Sequence, residues 1–216
     1  MEERYTCPQC GKRFSFIRYD IIDTGKQPEM KEKVRNGETF YASCPSCGWH
    51  THFDYSFLYR EEDTHTLIYY ANSREFYEAA YYRMIGRNGG SDFEAIRTWN
   101  RRVVTSRRDL LEKLLILDCR LDDRIIEIMK GLAFISLKQK HPDIEVDTVL
   151  FDQGGDGSCY FRFSRGETVE AAYAFDKTLY RRIDEVLGPR IREIAEGDVV
   201  INSQWAAGVM KKLESL

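Results

Sequence analysis

The chain has 216 residues and a formal net charge of −3, with 43% apolar and 31% charged residues. This composition is typical of a globular protein, and the length allows one large domain or two small ones. The small net charge excludes a global positive field that would attract nucleic acid or an anionic membrane. No apolar run approaches the length of a membrane-spanning helix, so we expect no membrane partner.

Two copies of the pattern Cys-Pro-x-Cys-Gly lie near the N-terminus, at residues 7–11 and 44–48. We call them the first and the second knuckle. In each, the proline presets one backbone angle of a tight turn and the glycine supplies a flexible exit. Two such turns present four thiolates, which is the all-sulfur shell of structural zinc sites. The pattern therefore predicts Zn²⁺ as the cofactor, with the metal ligands Cys7, Cys10, Cys44 and Cys47.

Other roles for these cysteines fit less well. A pair of disulfides needs an oxidising compartment, and the N-terminus shows no basic region followed by an apolar run, so we expect a cytoplasmic protein. A thioredoxin-like redox motif would not need two matched knuckles. His50 and His52 follow the second knuckle and could compete as ligands, but thiolate is the softer ligand and is preferred. Four thiolates leave no open position, so the zinc should be structural.

The segment 1–72 reads as a zinc ribbon with an extended hairpin. Residues 12–22 predict a strand, residues 29–34 one or two helical turns, and residues 39–42 a strand that leads into the second knuckle. Residues 49–59 predict one long strand, with residues 66–70 as its antiparallel partner. Alternate residues of the long strand share one face, which is mostly aromatic: Trp49, Thr51, Phe53, Tyr55, Phe57 and Tyr59. Period-two alternation leaves open whether this face is core or a binding surface.

The segment 73–141 reads as a helical extension. Ser73 is placed to cap a helix that ends near Gly86 and the pair Gly89-Gly90, and residues 93–99 predict a short helical piece. Ser106 resembles the cap of the next helix. A further helix follows and ends before His141-Pro142. Its apolar stripe comprises Ile125, Ile128, Met129, Leu132 and Ile135.

The segment 142–216 reads as a small α+β unit. Its predicted strands are 146–151, 158–164 and 168–174, followed by a helix at 177–187, a break at Gly188-Pro189, and a final helix capped by Asn202 or Ser203. The turn at residues 152–157 hints at calcium but lacks the terminal glutamate of a calcium loop. Cys119 and Cys159 are expected to be buried free cysteines. The fold class is therefore α+β: an N-terminal zinc ribbon with a β-hairpin and helical extension, then this unit.

Several of these features together resemble the CpXC-domain proteins, a bacterial and archaeal family named for its paired knuckles. The resemblance rests on both knuckles, on Leu111-Glu112-Lys113, and on the run Leu-Asp-Asp-Arg-Ile-Ile-Glu-Ile-Met-Lys at residues 121–130. It covers about residues 5–131 and, more faintly, Trp205-Ala206. Residues 73–100 look like an elaboration of the family pattern. The resemblance implies zinc binding.

Two kinds of partner are compatible with the sequence. A zinc ribbon with an extended hairpin offers edge strands and aromatic patches to a protein partner, and the mildly acidic surface favours this interpretation. The alternative is nucleic acid, bound by an arginine-rich stretch without acidic residues and by stacking on the aromatic face. The arginines that would contact it are Arg97, Arg101, Arg102, Arg107 and Arg108. The excess of acidic residues in 142–216 opposes this alternative.

An enzyme is the least supported class. Asp122, Asp123 and Glu127 place three carboxylates near one helix start, where such residues commonly cap the helix and complement its dipole. The chain has no His-Glu-x-x-His, no phosphate-binding glycine loop followed by lysine, and no nucleophile elbow. We therefore assign no catalytic residues and no organic cofactor.

Overall fold

The computed structural model describes residues 1–87 and 91–214 and has the predicted α+β class. The chain forms two compact units, Met1–Leu110 and Leu111–Leu216. Domain limits at residues 72 and 141 stay predictions, and the predicted helix stop at Gly89-Gly90 lies outside the described residues. In the described part of the chain, no helix combines the length and apolar character needed to cross a bilayer.

The first unit consists of short strands with few helices. Its strands are β1 (Glu2–Thr6), β2 (Arg13–Ile17), β3 (Ile21–Asp23), β4 (Tyr41–Ser43), β5 (His50–His52), β6 (Phe57–Glu61), β7 (Thr66–Tyr70) and β8 (Asn100–Val104). Its helices are α1 (Glu29–Arg35), α2 (Arg74–Met84), α3 (Ser91–Ile96) and a 3₁₀ turn at Glu38–Phe40. Helix α4 (Arg107–Asp118) begins in this unit and continues into the second.

These strands form three sheets. Two are antiparallel pairs, β1–β2 and β4–β5, and each carries one knuckle. The third sheet has the order β3-β6-β7-β8, in which only β6 and β7 are antiparallel. The predicted hairpin of residues 57–61 and 66–70 is therefore present, with a parallel neighbour on each side.

The predicted long strand at residues 49–59 is wrong in one respect, because it is two strands in two sheets. Residues 53–56 separate β5 from β6: the Phe53 N–H donates to the carbonyl of Phe40 at 2.7 Å, and the Tyr70 hydroxyl donates to the Asp54 carboxylate. Between these contacts the chain leaves the β4–β5 pair and enters the four-stranded sheet as β6. Similarly, residues 12–22 form β2 and β3 rather than one strand, and residues 38–40 form the 3₁₀ turn before β4.

The aromatic face of residues 49–59 is half-buried from Trp49 to Phe53 and belongs to the core from Tyr55 to Tyr59. Tyr55, Phe57 and Tyr59 are 6%, 1% and 0% exposed. The Phe53 ring stacks on Phe16 at a centroid distance of 4.5 Å and meets Tyr5 edge-on at 4.9 Å. Alternate residues are thus the more buried ones on both sides of the break between β5 and β6.

Strand β8 was not predicted. It pairs in parallel with β7, and its last residues Val103 and Val104 are buried. Arg101 and Arg102 in its middle give the sequence the appearance of a solvated basic stretch. The predicted helical piece at 93–99 is α3, which begins at Ser91 and ends at Ile96.

The second unit packs helices against an antiparallel sheet of order β11-β10-β9. Its elements after α4 are α5 (Asp123–Lys140), β9 (Thr148–Gln153), β10 (Cys159–Arg165), β11 (Thr168–Ala174), α6 (Lys177–Val186), α7 (Gly188–Ile194) and α8 (Ser203–Glu214). Helix α5 is central and contacts α6, α7, α8 and β9. The three predicted strands and the first and last helices are confirmed.

Helices α2, α4, α5 and α8 begin at a residue whose side chain accepts a hydrogen bond from a backbone N–H of the first turn. Ser73 accepts a hydrogen bond from the Phe76 N–H, Ser106 from Asp109, Asp122 from Arg124 and Asn202 from Trp205. The predicted break at Gly188-Pro189 lies where α6 ends at Val186 and α7 begins at Gly188. Proline is tolerated in a first helical turn, where its missing N–H would have no intrahelical partner.

The predicted apolar stripe of α5 is correct only in its first half. Ile125, Ile128 and Met129 are buried, whereas Leu132 and Ile135 are 39% and 46% exposed. Two apolar residues outside the stripe, Ile126 and Leu137, are fully buried instead. The beginning of α5 is surrounded on more than one side, so a single-stripe pattern cannot describe it.

Candidate metal centre

The two knuckles have the same backbone structure. In each, the N–H of the first cysteine donates to the carbonyl five residues later, and the glycine N–H donates to the carbonyl of that cysteine at 2.9 Å. Gly11 and Gly48 adopt left-handed φ angles of 70° and 74°, a conformation that favours glycine. These local bonds explain the pattern Cys-Pro-x-Cys-Gly, because the turn aims both sulfurs of a knuckle to one side.

The four cysteine sulfurs come together between the β1–β2 and β4–β5 pairs. All of them lie within 4.8 Å of one another. Across the two knuckles, Cys7 Sγ lies 3.6 Å from Cys47 Sγ, and Cys10 Sγ lies 3.7 Å from Cys44 Sγ. A tetrahedron with metal–sulfur bonds of about 2.3 Å has edges of about 3.8 Å. The donor set and its size therefore fit one tetrahedral thiophilic metal ion.

The electrostatics of the cluster also suit a cation. Burial opposes ionisation of Cys44, but the backbone N–H groups of Ser46 and Cys47 donate to its sulfur and lower its pKa to about 7. For Cys47, the Trp49 N–H lowers the pKa, whereas desolvation and the other three thiols raise it to about 12. One thiolate thus suppresses the ionisation of another, and a bound cation would remove that repulsion.

Aromatic packing joins the two knuckle-bearing pairs. The Tyr5 ring of β1 stacks on Trp49 at 6.0 Å and meets Phe14 edge-on at 5.6 Å. Cys7 and Cys44 are each 1% exposed in this small core, whereas Cys10 and Cys47 are exposed. Each knuckle therefore contributes one buried and one accessible sulfur.

The two histidines after the second knuckle are not part of the cluster. His50 and His52 are exposed on β5, and both rings contact Tyr41 at centroid distances of 5.4 Å. Among the described residues, no second group of three or more metal-binding side chains comes together. This includes the turn at 152–157, where Asp152 pairs with Arg162 and Asp156 accepts hydrogen bonds from Ser158.

The five arginines named for nucleic-acid contact do not form one exposed surface. Arg102 is 5% exposed, and Arg101 donates to the Met84 carbonyl beneath the α2 terminus. The Arg107 guanidinium lies over the Phe40 ring at 4.4 Å. Only Arg97 and Arg108 are exposed, and Arg97 pairs with Glu94 at 3.7 Å. The stretch is basic in sequence, but three of its arginines make internal contacts.

The three carboxylates at the start of α5 have two different roles. Asp122 is the N-cap, as predicted, and also pairs with Arg124. Asp123 and Glu127 are buried with Lys113, whose Nζ lies 3.1 Å from each carboxylate. Lys130 and Glu112 complete this cluster, which we call the buried ion network. The sequence offered one sign of it, two charged residues inside the apolar run of α4.

The model of one protein family, described as CpXC protein, matches residues 5–130. The matched segment contains both knuckles and every member of the buried ion network. No match was found among the curated proteins or among the solved structures.

Proposed function

The chain belongs to the CpXC family, and from this premise we propose that its four-cysteine cluster binds Zn²⁺ as a structural centre. The observation that carries the proposal is the close agreement of the sulfur separations, 3.6 and 3.7 Å, with the edges of a zinc tetrathiolate. Four thiolates fill the coordination shell, so the ion would join the two knuckles and take no substrate. Binding would contribute to the folding of the ribbon.

Replacement of one buried ligand tests the role of the metal. In Cys44→Ser, the ribbon should lose zinc and its ordered structure. Cys119→Ser is the matched control, because it removes a thiol outside the cluster and should leave zinc content and fold unchanged. Metal content and amide dispersion in NMR spectra measure the two effects. A fully folded, zinc-loaded Cys44→Ser protein would contradict the assignment.

We further propose that the zinc-stabilised first unit is a protein-interaction module. A groove with a cavity volume of about 280 Å³ lies between β2 and β4, lined by Ser15, Ile17, Lys33, Glu38, Thr39 and Tyr41 among others. Among the described strands, β2 pairs only with β1, and β4 only with β5, so each has an edge without a strand partner. An extended peptide can add to such edges through backbone hydrogen bonds.

The side chains of the groove support a peptide as the occupant. Ile17 and Tyr41 are 54% and 41% exposed at its border, which provides apolar contact area. Lys33 and Glu38 add charges of opposite sign. This mixture of apolar and polar groups is typical of peptide recognition.

A protein partner agrees better with the structure than nucleic acid does. Stacking on bases needs exposed rings, but Tyr55, Phe57 and Tyr59 are buried. We propose a cytoplasmic location, because reduced thiols are needed to bind zinc and are maintained there.

Two exposed isoleucines provide a matched test of the groove. Ile17→Lys places a charge in the groove, whereas Ile21→Lys changes a similarly exposed residue of β3 that does not line it. Proteins captured from a native lysate should depend on Ile17 and tolerate the change at Ile21. Identical capture by both variants, or no specific capture by the wild type, would contradict the proposal.

A further inference from the structure

The second unit contains a pair of cysteines that neither the zinc centre nor the proposed groove uses. Cys119 follows the last residue of α4, and Cys159 is the first residue of β10. The two residues lie forty positions apart in the chain, yet their Sγ atoms are 3.9 Å apart. Both side chains are half-buried, and the neighbouring residues Asp118, Arg120 and Ser158 are exposed. The sulfurs are therefore adjacent and lie near the surface.

We propose that Cys119 and Cys159 form a reversible disulfide when the protein meets a hydroperoxide. A disulfide needs a sulfur separation of about 2.05 Å, so the two sulfurs must approach by about 1.9 Å. Rotation of the side chains and small shifts in the turn after α4 can supply that approach. The bond would fasten this turn to the sheet of the second unit.

The reaction has two steps, and each thiol has a different part. In the first, the Cys159 sulfur attacks the peroxide O–O bond, which gives a sulfenic acid and releases one water or alcohol. In the second, the Cys119 sulfur displaces the sulfenic hydroxyl as water and forms the S–S bond. The two sulfurs together lose two electrons, which reduce the peroxide. A dithiol reductant reverses the change.

The surroundings of the two sulfurs support this order. Gln153 Nε2 lies 3.7 Å from Cys159 Sγ and donates a hydrogen bond to it. Burial, together with the neighbouring Cys159 and Asp118, raises the pKa of Cys119 to about 11. A thiol that stays protonated reacts slowly with peroxide, so Cys119 is the residue that resolves the sulfenic acid.

Peroxide treatment of the zinc-loaded full chain tests the proposal. After acid quenching and alkylation in denaturant, peptide mapping should find a Cys119–Cys159 cross-link that dithiothreitol removes. A chromogenic chelator should detect no released zinc at the same peroxide dose. The unfolding temperature should rise on the order of 5–10 °C, because the bond closes a long loop of the unfolded chain.

Two single variants separate the steps. In Cys119→Ser, Cys159 should stop at a sulfenic acid that dimedone labels, whereas Cys159→Ser should leave Cys119 unoxidised. Circular dichroism checks that both variants keep the wild-type fold. The proposal is overturned if both thiols stay reduced while the zinc thiols oxidise. It is also overturned if Cys119 oxidises equally well in Cys159→Ser, or if the pair binds a second zinc ion instead. Because zinc content is measured separately, failure here leaves the proposed structural zinc centre untouched.

Discussion

Lys130 is a buried cation whose removal should destabilise the second unit strongly. Its Nζ lies 2.9 Å from Glu112 Oε1 and 3.1 Å from Glu127 Oε1, and the three side chains are 7%, 4% and 2% exposed. Lys130→Met keeps most of the side-chain volume but removes the charge. The two carboxylates then share Lys113 as the remaining cation of the buried ion network, together with Asp123. Breaking a buried ion pair in this way costs about 3–5 kcal/mol.

The penalty should depend on pH in a defined direction. Burial raises the pKa of Glu112 above its ordinary value of 4.5, and the charge of Lys130 opposes that rise. Without Lys130 the pKa rises further, so the folded state prefers the protonated acid. The stability that protonated Glu112 contributes is complete below the ordinary pKa of 4.5. It is lost as the pH rises through the raised pKa that Glu112 has in the folded state. The destabilisation in Lys130→Met should therefore be smaller near pH 4.5 than near pH 7.

Urea unfolding followed by circular dichroism measures these changes. Arg190→Met is the matched control, because it removes one cation from the exposed pair with Glu193, whose side chains are 44% and 66% exposed. Its effect should stay below about 1 kcal/mol. The double change Glu112→Gln with Lys130→Met should recover part of the lost stability. A Lys130→Met protein that unfolds like the control, or that loses the same stability at both pH values, would contradict the predicted role of Lys130.

Three smaller changes test local features through the free energy of unfolding. Tyr55→Phe removes a buried 2.7 Å hydrogen bond to the carbonyl of Thr39 and should cost about 0.5–1.5 kcal/mol; no loss would contradict this contact. Gly157→Ala should cost about 1 kcal/mol because φ is 79°, whereas Gly155→Ala meets open space and should be neutral, so equal effects would refute the argument. Ser106→Ala removes the cap of α4 and should cost about 1 kcal/mol, with an unchanged unfolding midpoint as the contrary result.

Features that depend on nearby residues could be predicted from the sequence. The knuckles are local turns, and the helix caps at Ser73, Ser106 and Asp122 act within three residues. Alternation correctly placed Phe57 and Tyr59 on one buried face of β6, because side-chain direction in a strand has a period of two. The break between β5 and β6 could not be predicted, since it depends on partners in two different sheets.

Features that depend on tertiary pairing were missed. Strand β8 could not be predicted, because Arg101 and Arg102 make its sequence look like an exposed basic segment. Its position depends on parallel pairing with β7. The sequence indicates Asp123 and Glu127 as acids of a first helical turn, but in the structure Lys113 and Lys130 neutralise them in the interior. Burial of a charged residue depends on an oppositely charged partner that can be distant in sequence. The local sequence around the charged residue therefore does not predict its burial.

Metal analysis combined with X-ray absorption of the purified chain tests the central claim most directly. We expect one zinc ion per chain with four sulfur neighbours at about 2.3 Å. Zinc should be lost in Cys44→Ser and retained in Cys119→Ser. A folded chain without metal, or a zinc ion with nitrogen or oxygen in place of sulfur ligands, would contradict the proposed tetrathiolate centre.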